Sequence, residues 1–173
     1  MSREVWIALG AVALLVVAER KVSRGQDLKP SKNTKPGEWF PVRLTEYHPD
    51  APPSARKRDG GPKDRIGQPV RTVEDFRSKR SDYVSVSADL ILQDRTVTYG
   101  ARVYLDGWPD VVFRIVDTGE NFMGNTKQIR QAGHEPMDIA TLWNGPHREF
   151  NGKLTRARID FADTLPKRVQ LVS

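Results

Sequence analysis

Tyr83-Val84-Ser85-Val86-Ser87-Ala88-Asp89-Leu90, then Tyr99-Gly100-Ala101-Arg102-Val103-Tyr104-Leu105, then Val112-Phe113-Arg114-Ile115-Val116-Asp117-Thr118-Gly119, and finally Met137-Asp138-Ile139-Ala140 form the stretch whose pattern decides the fold. Apolar and β-branched residues alternate with polar ones in short runs that stop at Gly, Asp or Pro, the signature of half-buried strands and not of helices. Asp89, Asp117 and Asp138 each sit at an edge of one of these runs. A carboxylate is poor strand material, so its repeated placement there points to a site assembled from several strand ends.

Working outward, Val42-Arg43-Leu44-Thr45-Glu46-Tyr47 reads as an opening strand. Residues 48–82 follow as a polar insertion with Pro52-Pro53, Gly60-Gly61-Pro62 and the charged run Arg56-Lys57-Arg58-Asp59, expected as an extended surface loop with a short helical turn over Val73 to Ser78. Loops of this length are commonly functional. Gly100 interrupts the strand Thr96 to Leu105, and Asp106-Gly107 turns the chain into the strand Val111 to Val116. Lys153 to Phe161 supplies a last strand, and Trp143, Phe150 and Phe161 read as core or barrel-capping residues.

The order Ser87-Ala88-Asp89-Leu90, Tyr99-Gly100-x-Arg102-Val103-Tyr104-Leu105, Asp117-Thr118-Gly119 and Met137-Asp138-Ile139 resembles the three-aspartate (3D) domain family. That domain is the six-stranded double-psi β-barrel found in membrane-bound lytic transglycosylase A and related cell-wall enzymes. The resemblance covers residues 40 to 172. It implies a mainly β fold with long loops, and the apolar run near the N-terminus is expected to place a hydrophobic helix ahead of the barrel. The resemblance also implies peptidoglycan as partner and lytic cleavage of the MurNAc-GlcNAc bond to a 1,6-anhydro product, without a cofactor or metal. Asp138 is then the general acid/base and Asp117 its catalytic neighbour, while Asp89, Thr118 and Gly119 shape the site and Tyr47, with His48 beside it, borders the substrate. Independently of the resemblance, the Trp108 ring offers an aromatic face for stacking on a sugar. The segment between Asp117 and Asp138 is longer than the family's and carries Lys127, Arg130, Gly133, His134 and Glu135, so Asp160 in Arg158-Ile159-Asp160 competes for the catalytic place.

Chemically, an acid that protonates a leaving oxygen near neutral pH must hold its proton well above the ordinary Asp value of about 3.9. Met137 and Ile139, with Asp89 and Asp117 as neighbouring negative charges, are expected to raise Asp138 in that way. Asp117 as a second working carboxylate gives a hydrolase instead. Tyr47 reads equally as structural, Trp108 as a turn aromatic covering a core edge, and Asp117-Thr118-Gly119 taken alone as an ordinary strand-ending turn. A non-catalytic glycan-binding barrel resembling expansins is the alternative from another class. His48, His134 and His147 lack the paired spacing of a metal site.

The rest of the chain sets its surroundings. Val5 to Ala18 is an uncharged apolar run of 14 residues. As a helix it spans about 21 Å, short of the roughly 20 residues of a comfortable membrane crossing. Residues 1–21 are read as a membrane anchor, with a cleaved signal core and a buried helix as the alternatives. Arg20, Lys21 and Arg24 after the run argue for a cytoplasmic side, against the periplasmic or virion-envelope placement that the resemblance implies. Residues 22–38 form a basic linker with Lys29, Lys32 and Lys35, a solvated tether with contact to the phosphates of lipid headgroups or of nucleic acid as the lesser reading, and residues 39–173 form the folded domain. A net charge of +6 favours a polyanionic neighbour, and the absence of cysteine excludes disulfides and thiolate metal sites.

Overall fold

The computed structural model describes residues 37–55, 61–89, 91–92, 95–118 and 126–165. The anchor and nearly all of the linker lie outside the described residues, and no helix among the described residues is long and apolar enough to cross a membrane.

The elements in chain order are β1 (Phe40–Tyr47), α1 (Val73–Arg77), β2 (Val84–Ala88), β3 (Ile91–Leu92), β4 (Arg95–Thr96), β5 (Ala101–Leu105), β6 (Phe113–Thr118), α2 (Thr126–Gln131), β7 (Glu135–Ala140) and β8 (Leu154–Asp160). Six of the strands close into a barrel in the order β1-β7-β2-β6-β5-β8, and β3 pairs with β4 alone. Closure removes the open edges that a sheet of this size otherwise exposes. The pairs β1·β7 and β2·β6 are parallel, and the other four barrel pairs are antiparallel.

Alternation sorts the side chains into two faces. Phe40, Val42, Leu44, Val84, Val86, Ala88, Ala101, Val103, Leu105, Phe113, Ile115, Met137, Ile139, Ala157 and Ile159 all join one buried cluster, which fills the barrel. Phe150 is fully buried against Phe113 at 6.0 Å between ring centroids, and Trp108 packs on Phe150 at 5.0 Å. Phe150 therefore belongs to the core, as its reading as core or cap allowed. Most strand bounds move by one or two residues from those read in the sequence, but the strand read over Thr96 to Leu105 divides: Thr96 ends β4, and the barrel strand β5 begins only at Ala101, after Gly100.

The insertion after β1 is less superficial than its polarity suggests. Thr72 caps α1 with Asp75 in a reciprocal capping box. Around it the chain is sewn to β2: Ser85 N donates to Arg71 O, and Arg71 N donates back to the Ser85 hydroxyl, each at 2.8 Å. Every residue of β2 is consequently buried, its two serines included, where alternation predicts a half-exposed strand.

Candidate active site

The cross-strand registers bring the carboxylates together. Ser87 in β2 has Asp138 of β7 as its antiparallel partner on one side and Asp117 of β6 as its parallel partner on the other. Thr45 of β1 continues the row beyond Asp138. Thr45, Asp138, Ser87 and Asp117 thus lie across four adjacent strands. Met137 and Ile139 point into the core, so Asp138 between them points outward.

Asp117 reaches this row through an irregularity. Two residues after the core residue Ile115, it belongs by simple alternation on the inner face. The register shifts by one residue between Val86 and Ser87, pairing Val86 with Ile115 but Ser87 with Asp117. Such a bulge re-aims the following side chain, and here it turns a carboxylate from the core to the face of Ser87.

Tyr47, at the end of β1, forms a small buried cluster with Ala140 and Val70 on that same outer face. Burial, then the negative charges of Asp117, Asp138 and Asp64, push its phenol pKa far up, and the Ser87 hydroxyl nearby opposes the shift only in part. Tyr47 is therefore a permanent O–H group in an acidic neighbourhood.

Asp64 is a member of the site that the sequence reading did not single out. It lies in the 61–70 segment, is buried, and accepts from Ile66 N at 3.0 Å, Gln68 N at 2.8 Å and the Tyr99 hydroxyl at 2.6 Å. Arg65 beside it stacks over the Tyr99 ring at 5.5 Å. The local signal was an Asp three residues before Gly67, the arrangement of an Asx-type turn, but nothing in a polar loop says that the turn folds back over a barrel. Burial raises the Tyr99 and Tyr83 phenols, and Asp64 adds to both shifts.

Asp117 is half-buried. Burial raises its carboxyl pKa, Asp64's charge adds to the shift, and the hydrogen bond from Thr118 N at 2.8 Å and the charge of Arg65 pull the other way. The upward causes win. Asp138 is more deeply placed, with 4% of its surface exposed.

The remaining expected site residues fall elsewhere. Asp89, one residue past β2, is ion-paired with Arg130 of α2, which also holds Glu135 at 3.0 Å. Thr118 follows Asp117 directly, and Gly119 lies outside the described residues. Trp108 stands in the connection between β5 and β6, five residues before β6 begins and nine before Asp117, and packs on Phe150. Asp160, the rival to Asp138, ends β8 on the other side of the barrel. There it accepts Asp163 N at 3.1 Å and Ala162 N at 3.0 Å, which hold its carboxyl below the usual range. It is a turn-capping group.

His48 joins a separate network near the end of β1. The Arg148 guanidinium donates to its Nε2 at 2.7 Å, so Nδ1 carries the proton that faces the Thr141 carbonyl at 3.3 Å. Trp143 stands edge-on to the ring at 5.4 Å. This arrangement orients a histidine against its neighbours and keeps both ring nitrogens occupied.

Compared with protein-family models and with curated proteins, the sequence matches none.

Proposed function

We propose that this barrel is a peptidoglycan-cleaving lytic transglycosylase of the double-psi type, acting in a bacterial or phage envelope. The double-psi reading draws support from two interleaved parallel pairs, β1·β7 and β2·β6, each made by strands far apart in the chain. The observation that carries the catalytic reading is the Asp138, Ser87, Asp117 row with a half-buried Asp117, its carboxyl pKa raised by burial, at its accessible end.

In this reading Asp117 is the group that meets the substrate, and the more deeply buried Asp138 is its positioning neighbour, an inversion of the roles taken from the sequence. Protonated Asp117 gives its proton to the glycosidic oxygen, the bond from the anomeric carbon to that oxygen breaks, and the leaving sugar departs as an alcohol. The Asp117 carboxylate then takes the proton of the muramic 6-hydroxyl, whose oxygen closes on the anomeric carbon. One carboxyl group serves both steps and no water is consumed. Tyr47, held as a neutral phenol, and Ser87 are buried beneath the row and form the polar floor on which the two carboxylates sit.

Two strand spacings separate Asp117 from Asp138, about 9–10 Å between their backbones. Because Asp138 lies on the same outer face as Asp117, a second carboxylate is within the site, and hydrolysis with Asp138 as base is the second reading. Mass spectrometry of peptidoglycan digested by the full chain separates them. Anhydro-muramic ends, lost in Asp117→Asn, are the expected result; reducing ends lost in both Asp117→Asn and Asp138→Asn establish the hydrolase. Undigested glycan with folded protein removes both enzyme readings in favour of the binding barrel.

A further inference from the structure

The barrel wall opposite the carboxylate row has a different character. β8 lies three places from β2 around the six-stranded barrel, so its outer face points directly away from Ser87. On that face Trp39 is 42% exposed and Leu154 is 62% exposed, two of the few large apolar side chains left in solvent among the described residues. Arginines surround them. Arg43 is the cross-strand partner of Leu154, and Arg156 and Arg158 each lie 5.6 Å from the Trp39 ring centre. Arg158 also stacks on Tyr104 at 4.3 Å, and Arg102 covers the same ring at 4.7 Å. Of these arginines, Arg156 is offset by Asp106 and Arg102 by Asp163, whereas Arg43 makes no ion pair among the described residues.

We propose that this β1/β8/β5 face docks on an anionic lipid surface. Exposed Trp and Leu within a field of arginines is the composition of an interfacial anchor: the indole and the aliphatic chain enter the headgroup boundary while guanidinium groups meet lipid phosphates. The path of the chain selects lipid as the occupant. The described part begins at Gly37, two residues before Trp39, and the sequence ahead of it carries Lys29, Lys32 and Lys35 and the apolar run Val5 to Ala18. The basic face is thus where the polypeptide arrives from its apolar segment. Docked in this way, the barrel turns Asp117, Ser87 and Asp138 away from the bilayer, toward any polymer beyond it.

The test is binding of the full chain to phosphatidylcholine vesicles with and without phosphatidylglycerol, compared with the double variant Arg43→Gln/Arg158→Gln and with Leu154→Ser. Each surface arginine contributes about 1 kcal/mol next to an anionic leaflet, so the double variant is expected to lose about thirtyfold in affinity for the anionic vesicles and nothing for the neutral ones. Leu154→Ser, a change at an exposed position with no fold to disturb, is expected to weaken both. A double variant that keeps the parent's anionic preference overturns the proposal and assigns that preference to the linker lysines. A single-stranded oligonucleotide that displaces the chain from vesicles, and whose binding fails in the same double variant, overturns it in favour of nucleic acid.

Discussion

Asp117 carries a conflict between stability and chemistry. Its folded pKa is raised above the unfolded value of about 3.9 by burial and by Asp64. A carboxyl shifted upward favours the fold only while it is protonated. That contribution is complete below the unfolded pKa and is lost as pH rises through the folded one, because the unfolded chain releases the proton more easily. Asp117→Asn mimics the protonated group and keeps an oxygen for Thr118 N. The variant is expected to melt above the parent at pH 7, with the difference shrinking to nothing at about pH 3 and below, while cleavage is abolished. Thermal melts across that range check the sign; a variant less stable than the parent at pH 7 would mean that the ionised form is the one the fold prefers. Gain of stability with loss of activity is what a group held in an uncomfortable state for its function produces.

Elements position these residues through turns and clamps whose strength can be measured. Gly100, between β4 and β5, has φ +79, and a side-chain carbon there would meet Leu165 Cβ at 2.6 Å and its backbone N at 2.7 Å. Gly107, in the turn after β5, has φ +101 but open space around it. Gly100→Ala should therefore destabilise by about 2–4 kcal/mol, backbone strain and clash together, and Gly107→Ala by about 1 kcal/mol from strain alone. Urea denaturation midpoints rank the two. The Asp64 clamp is tested similarly: Asp64→Ala strips three accepted hydrogen bonds and is expected to cost about 2–4 kcal/mol, against about 1 kcal/mol for Tyr99→Phe, which removes one. These two glycines mark how far the sequence was legible. The strands, the Asp106-Gly107 turn, the helical turn at Val73 and the core status of Phe150 follow from alternation and turn chemistry, which act over a few residues. The bulge that turns Asp117 outward and the burial of Asp64 and Ser85 do not, because each depends on a partner 14 to 35 positions away. Asp117 and Asp138 could be named from the sequence as candidates, but that Ser87 lies between them could not.

At the scale of the molecule, the barrel consists of two three-strand halves, β1-β2-β5 and β6-β7-β8, that do not pair internally. β1 pairs with β7 and β8, β2 with β6 and β7, and β5 with β6 and β8, so all six barrel contacts join one half to the other. Exchanging β1 with β6, β2 with β7 and β5 with β8 carries every pairing onto a pairing of the same sense. This order is invisible to local periodicity, which finds strands and is silent about which of them meet. It also fixes how the chain must fold. Few barrel contacts are local, loop closure must precede the hydrogen bonds that compensate it, and folding is expected on the slow scale of non-local β proteins, milliseconds to seconds. Cutting the chain between Gly107 and Trp108 supplies the decisive measurement. Each fragment keeps its strand-forming residues but loses every barrel partner, so neither should show strand signal by circular dichroism alone. Mixing them should restore it, at a rate that depends on concentration. A first fragment that folds by itself would show that its core residues, Val42, Leu44, Val84, Val86, Ala101 and Val103, find partners within their own half, and the interleaved order would then not be what holds the barrel together.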